Sequence, residues 1–74
     1  MLIKVKANDE TRSQIVQIAD IYRGKILDVS PKSLVIELTG DVDKLDGFVE
    51  IMNTYGVLEI AKSGVLAMSR GEKM

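Results

Sequence analysis

The chain of 74 residues has no cysteine, no histidine and no tryptophan, only one proline, and two tyrosines and one phenylalanine as its whole aromatic complement. Without cysteine there is no disulfide framework, no thiolate-bound zinc, no iron–sulfur cluster and no thiol nucleophile, a composition that fits a reducing compartment. Without histidine, the usual general base and the commonest metal ligand are both missing. Charge of one sign is missing too: 10 Lys+Arg face 11 Asp+Glu, for a formal net charge of -1. A chain that neutralises several phosphates carries an excess of basic residues, so a nucleic-acid partner is not expected. Apolar runs such as Leu34-Val35-Ile36 are far shorter than the about 20 residues that span a bilayer. Met1-Leu2-Ile3-Lys4-Val5-Lys6 alternates instead of forming the apolar block of a signal peptide. No membrane partner is expected, and the expected location is the cytoplasm. At this length there is room for one domain with a thin core and few residues to spare for a deep pocket.

What is present is periodic. Ile3, Val5 and Ala7 alternate with Leu2, Lys4 and Lys6, the period of a strand with one buried face, over residues 2 to 7. Asn8-Asp9-Glu10 offers a short polar cap followed by acids suited to the helix dipole, and a helix from about Asp9 to Arg23 follows. In it Ile15, Ile18, Ala19 and Tyr22 form one stripe. Gly24 is expected to end it in the left-handed conformation. Two strands, Lys25 to Ser30 and Ser33 to Thr39, flank Pro31-Lys32, a hairpin turn. Asp41 can cap the next helix, with Asp43 in its first turn, and Leu45, Phe48, Val49 and Met52 give its stripe. Tyr55-Gly56 turns the chain into a last strand, Val57 to Ser63.

The order β-α-β-β-α-β, with right-handed crossovers, predicts an α+β fold: a four-stranded antiparallel sheet with two helices on one face, ferredoxin-like and ACT-like. The expected domain covers 1–64, with a C-terminal tail at 65–74. The expected core is Ile3, Val5, Ile15, Ile18, Leu27, Val29, Leu34, Ile36, Leu38, Leu45, Phe48, Val49, Met52, Leu58 and Ile60. The same alternation places Leu2, Ile26, Val35, Val57 and Ala61 on the opposite, uncovered face among Lys4, Lys6, Asp28, Glu37 and Glu59. A half-apolar open face is a contact surface. Its candidate interface residues are Leu2, Ile26, Asp28, Val35, Glu37 and Val57.

Chemistry-bearing constellations are few. Asp41, Asp43 and Asp46 begin like a calcium loop, but that loop needs glycine at its sixth place and glutamate at its twelfth, where Asp46 and Met52 stand. Their plain reading is a helix cap with dipole-favoured acids. The six glycines form neither GxGxxG nor a phosphate loop. Nucleophilic catalysis would have to use a lysine beside a serine, as in Lys32-Ser33 or Lys62-Ser63, and such neighbours point apart. An RNA-binding module of this order stacks bases on strand aromatics, and Tyr22, Phe48 and Tyr55 all fall outside the strands. No catalytic, cofactor-binding or metal-binding residue is expected. What survives is a ligand-sensing or protein-contact module of ACT type. Amino-acid-binding ACT modules place a glycine-containing loop after the first strand, and Asn8-Asp9-Glu10-Thr11 contains none.

The residues do resemble one family: the C-terminal domain of the small, regulatory subunit of acetolactate (acetohydroxyacid) synthase. Ile21-Tyr22-Arg23-Gly24-Lys25-Ile26-Leu27-Asp28-Val29-Ser30 is similar to that family's I-F-R-(A/G)-K-I-(I/V)-D-V-(S/T), with tyrosine in place of the usual phenylalanine. Ile36-Glu37-Leu38-Thr39-Gly40, Asp43-Lys44-Leu45-Asp46-Gly47-Phe48, Glu59-Ile60-Ala61-Lys62-Ser63-Gly64 and Ser69-Arg70-Gly71-Glu72-Lys73 are also similar, in order across nearly the whole chain. The resemblance implies a non-catalytic part in branched-chain amino-acid synthesis. The family's large subunit binds thiamine diphosphate, magnesium and FAD and condenses two pyruvates, or pyruvate with 2-oxobutyrate; the small subunit activates it and confers feedback inhibition, commonly by valine. The family's valine site lies in an N-terminal ACT domain that would precede this chain, so no effector residue is carried over, and an excised domain is expected rather than a stand-alone relative. The expected partners are the large catalytic subunit and a second copy in a homodimer. The alternative is a stand-alone ACT-like homodimer that senses an amino acid.

Overall fold

The computed structural model describes residues 1–61. The end of the expected fourth strand, the boundary at residue 64 and the 65–74 tail lie outside the described residues. Six elements follow in order: β1 (Leu2–Lys6), α1 (Arg12–Ile21), β2 (Lys25–Ser30), β3 (Ser33–Glu37), α2 (Val42–Met52) and β4 (Val57–Ala61). One sheet has the strand order β2-β3-β1-β4, with every neighbouring pair antiparallel. This is the ferredoxin-like α+β arrangement, with both helices over one face. Ile15 and Ala19 of α1 and Phe48 and Met52 of α2 join Ile3, Val5, Leu34 and Ile36 in one buried cluster. Each of these side chains larger than alanine, fully withdrawn from water, contributes about 1.5–3 kcal/mol.

Local side-chain chemistry sets where the helices begin. The Asn8 Oδ1 accepts from the N–H groups of Glu10 and Thr11, both at 2.9 Å, while the Asn8 N–H donates to Thr11 Oγ1 at 3.0 Å. Residues 8–11 close into a polar turn, and the helix starts at Arg12, three residues later than the expected Asp9. Arg12 fixes this turn to the hairpin: its guanidinium bonds Asp9 at 3.0 Å and donates to the Pro31 carbonyl at 2.8 Å. α2 begins as the sequence indicates, with Asp41 accepting from the Lys44 N–H at 2.9 Å and Asp43 in the first turn.

The end of α1 departs from expectation. Gly24 donates to the Ala19 carbonyl and Arg23 to that of Asp20, the paired bonds of a Schellman ending. The left-handed residue is therefore Arg23, with φ of 59°, not Gly24. Gly24 serves a different need: a Cβ there would lie 3.1 Å from both Ile36 and Leu38 side chains and 3.3 Å from the Glu37 carbonyl oxygen. The chain must pass this close to β3 to enter the edge of the sheet.

Two irregularities revise which face each edge residue takes. The β2–β3 register shifts between Ile26 and Asp28, leaving Leu27 as an extra residue; the β1–β4 register shifts between Lys4 and Val5, leaving Leu58 as another. A bulge moves one end of a strand to the opposite alternation. Ile26 thus pairs with Ile36, and Val57 with Val5, so both pack against the core instead of standing on the far face. Leu27, expected in the core, is exposed and Leu58 is half-buried; Val29 and Ile60 keep the helix side opposite Leu34 and Ile3 but on edge strands, and are exposed there. Met1, Ala7 and Ala19 join the core beyond the expected set, Ala7 on the alternating face of β1 and Ala19 on the stripe of α1.

The far face is also not open. Leu2, Lys4, Ser33, Val35 and Ala61, which register places on that side, are all buried, Lys4 completely. The expectation of an uncovered half-apolar face is corrected on this point. Among the described residues no helix is long and apolar enough to cross a membrane.

Candidate functional site

At one end of the sheet four chain segments meet: the end of β1, the turn into α1, the β2–β3 hairpin turn and the α2–β4 turn. They enclose a cavity of about 420 Å³, lined by Lys6, Ala7, Asn8, Thr11, Lys32, Thr54 and Tyr55. A small domain was expected to lack room for this. The space exists because the three connections stand up around the sheet end and are bonded together there. The Lys6 N–H donates to the Gly56 carbonyl at 2.8 Å and the Ala7 N–H to the Lys32 carbonyl at 2.9 Å. The Tyr55 hydroxyl donates to Gln14 Oε1 at 3.2 Å, tying the α2–β4 turn to α1. Gly56 has φ of 113°, and its missing side chain leaves room for Lys6, whose Cδ would lie 3.0 Å from a Cβ there.

The interface residues expected from sequence do not assemble at this cavity. Asp28 and Glu37 are half-buried on the far face, Leu2 and Val35 are buried on it, and Ile26 and Val57 belong to the helix side. At the centre of the far face Lys4 stands opposite both Val35 and Glu59 in the ladders. The Glu59 Oε1 is buried and lacks a hydrogen-bond partner among the described residues. No group of three or more His, Cys, Asp or Glu placed to hold a metal occurs among the described residues. Large apolar side chains do reach solvent elsewhere: Ile21 is 78% exposed, Val42 68% and Val29 59%.

The sequence reading does not group Lys6, Lys32, Thr54 and Tyr55, because they form no linear motif. A topological signal was available, since in a βαββαβ order the end of the first strand, the hairpin turn and the last helix–strand turn share one end of the sheet.

The fold and this site define a small βαββαβ module with a cavity at one end of its sheet. The comparisons with known proteins narrow the class. The family described as "Small subunit of acetolactate synthase" matches residues 1–71. The "Probable acetolactate synthase small subunit" of Methanothermobacter thermautotrophicus is 47% identical over 73 residues, covering 97% of this chain and 44% of that protein. The acetolactate synthase small subunits of Mycolicibacterium smegmatis and Haemophilus influenzae are each 46% identical, covering 97% and 99% of this chain and 42% and 45% of theirs. The chain belongs to the acetolactate synthase small-subunit family. It spans less than half the length of these curated relatives.

Proposed function

We propose that this chain is a regulatory, non-catalytic domain that works on an acetolactate synthase catalytic subunit. The observation that carries the reading is similarity to small subunits at 40–47% identity along 97% of the chain. The exposed Ile21, Val29 and Val42 support it, because apolar side chains left in water at these exposures lower the free energy of binding a protein partner when they are covered. In this reading activation and valine-type feedback pass through the domain by contact. Thiamine diphosphate, magnesium and FAD belong to the catalytic subunit, and the condensation of 2-oxo acids takes place there. Effector recognition then falls to another part of the parent protein.

Sedimentation of the 74-residue chain with a purified acetolactate synthase catalytic subunit from the same source tests the contact. Comigration is expected, weakened by Ile21→Asp. Separate boundaries at concentrations well above those of the enzyme assay would overturn the reading.

A further inference from the structure

The far face of the sheet is buried within a single chain, yet no described element lies over it. Leu2 is 8% exposed, Val35 5% and Ala61 6%, and Lys4 exposes nothing. A lysine on an open sheet face lays its stem along the surface and keeps its ammonium in water. Lys4 is withdrawn to its tip and has an interaction of its own, and the Glu59 Oε1 on the neighbouring strand is withdrawn from water with it. Both helices pack on the other face. The connections at 7–11, 22–24, 38–41 and 53–56 each lead to or from one of those helices, and 31–32 is a tight hairpin turn. Of this chain, only residues 62–74 remain to form the cover.

We infer that residues 62–74 fold back across the far face as an intramolecular cover, with the run Val65-Leu66-Ala67-Met68 against Leu2 and Val35 and over Lys4. The chain leaves β4 at Ala61, which lies on that face at the edge of the sheet. Crossing from β4 to β2 takes three strand spacings, about 14 Å, which about five extended residues span. Val65 to Met68 is an apolar run between Gly64 and Ser69, matched in character to Leu2, Val35 and Ala61. The family match also continues past β4 to residue 71. The far face is then an inner layer closed to partners, which leaves the helix side and the sheet edges, where Ile21, Val29 and Val42 stand in water, for contact.

Nuclear Overhauser contacts among the Leu, Val and Met methyls of the 74-residue chain test this without any substitution. Cross-peaks from Leu66 or Met68 to Leu2 and Val35 are expected, and a mixture of labelled and unlabelled chain should show none of them between molecules. Acetylation by limiting acetic anhydride gives a second readout, in which Lys4 should react at least about tenfold more slowly than the exposed Lys6 and Lys25. Leu66→Asp combined with Met68→Asp should remove most of that difference, while the Tyr22–Phe48 ring contact on the helix side, 5.2 Å between centroids, persists. No cross-peak from residues 65–68 to the far face, cross-peaks that arise only between molecules, or a Lys4 still protected in the aspartate pair would each overturn the inference.

Discussion

Arg23 carries a side chain where the backbone is left-handed, at φ of 59°. For a residue with a Cβ this conformation costs about 1–2 kcal/mol. Arg23→Gly removes that cost but adds freedom to the unfolded chain worth about 0.4–1 kcal/mol. The net expectation is a gain of roughly 0.5–1 kcal/mol, read as a higher midpoint in urea with an unchanged slope. A lower midpoint would mean that the arginine side chain contributes more than its backbone costs. Arg23 and Gly24 illustrate what a single position discloses in a sequence. That the helix stops here was legible, because a glycine follows the last apolar residue of the stripe. Which residue turns left-handed was not, since the Gly24 position is dictated by Ile36 and Leu38, residues 12 and 14 places further on, across the sheet.

At the scale of the elements, α2 was readable throughout: Asp41 caps it, and its stripe Leu45-Phe48-Val49-Met52 faces the core. The central strands β1 and β3 were readable as well, because Ile3, Val5, Leu34 and Ile36 alternate without interruption and all four are fully buried. The edge strands were not. Period-two alternation assumes that every residue has one partner, and Leu27 and Leu58 have none in the ladder. Both look like core leucines until the neighbouring strand is placed beside them. The bulge at Leu27 makes a prediction that alternation reverses. Ile26 packs against the core while Leu27 is 43% exposed, so Ile26→Ala should destabilise by about 1–3 kcal/mol and Leu27→Ala by under about 1 kcal/mol. Equilibrium denaturation of the two variants measures the difference. A larger loss at Leu27 would contradict the register. Bulges on both edge strands also bend the unpaired edges, which limits strand-to-strand aggregation of a small sheet.

For the whole molecule, topology was the most legible property, since six short elements in βαββαβ order leave few ways to bury both helix stripes. The candidate site was the least legible. Lys6 and Lys32 are 26 positions apart in the chain, and only the closed sheet brings them to one cavity. The far face was misjudged for a related reason: alternation tells which side Leu2, Lys4 and Val35 take, but not whether that side reaches solvent. In the proposed division of labour, chemistry belongs to a catalytic subunit and this domain supplies contact. The most direct measurement of that claim is the rate of acetolactate formation by the purified catalytic subunit as the 74-residue chain is titrated in. A saturable rise in rate is predicted; a rate that stays flat to saturating concentrations of the chain, with no complex formed, would contradict the account.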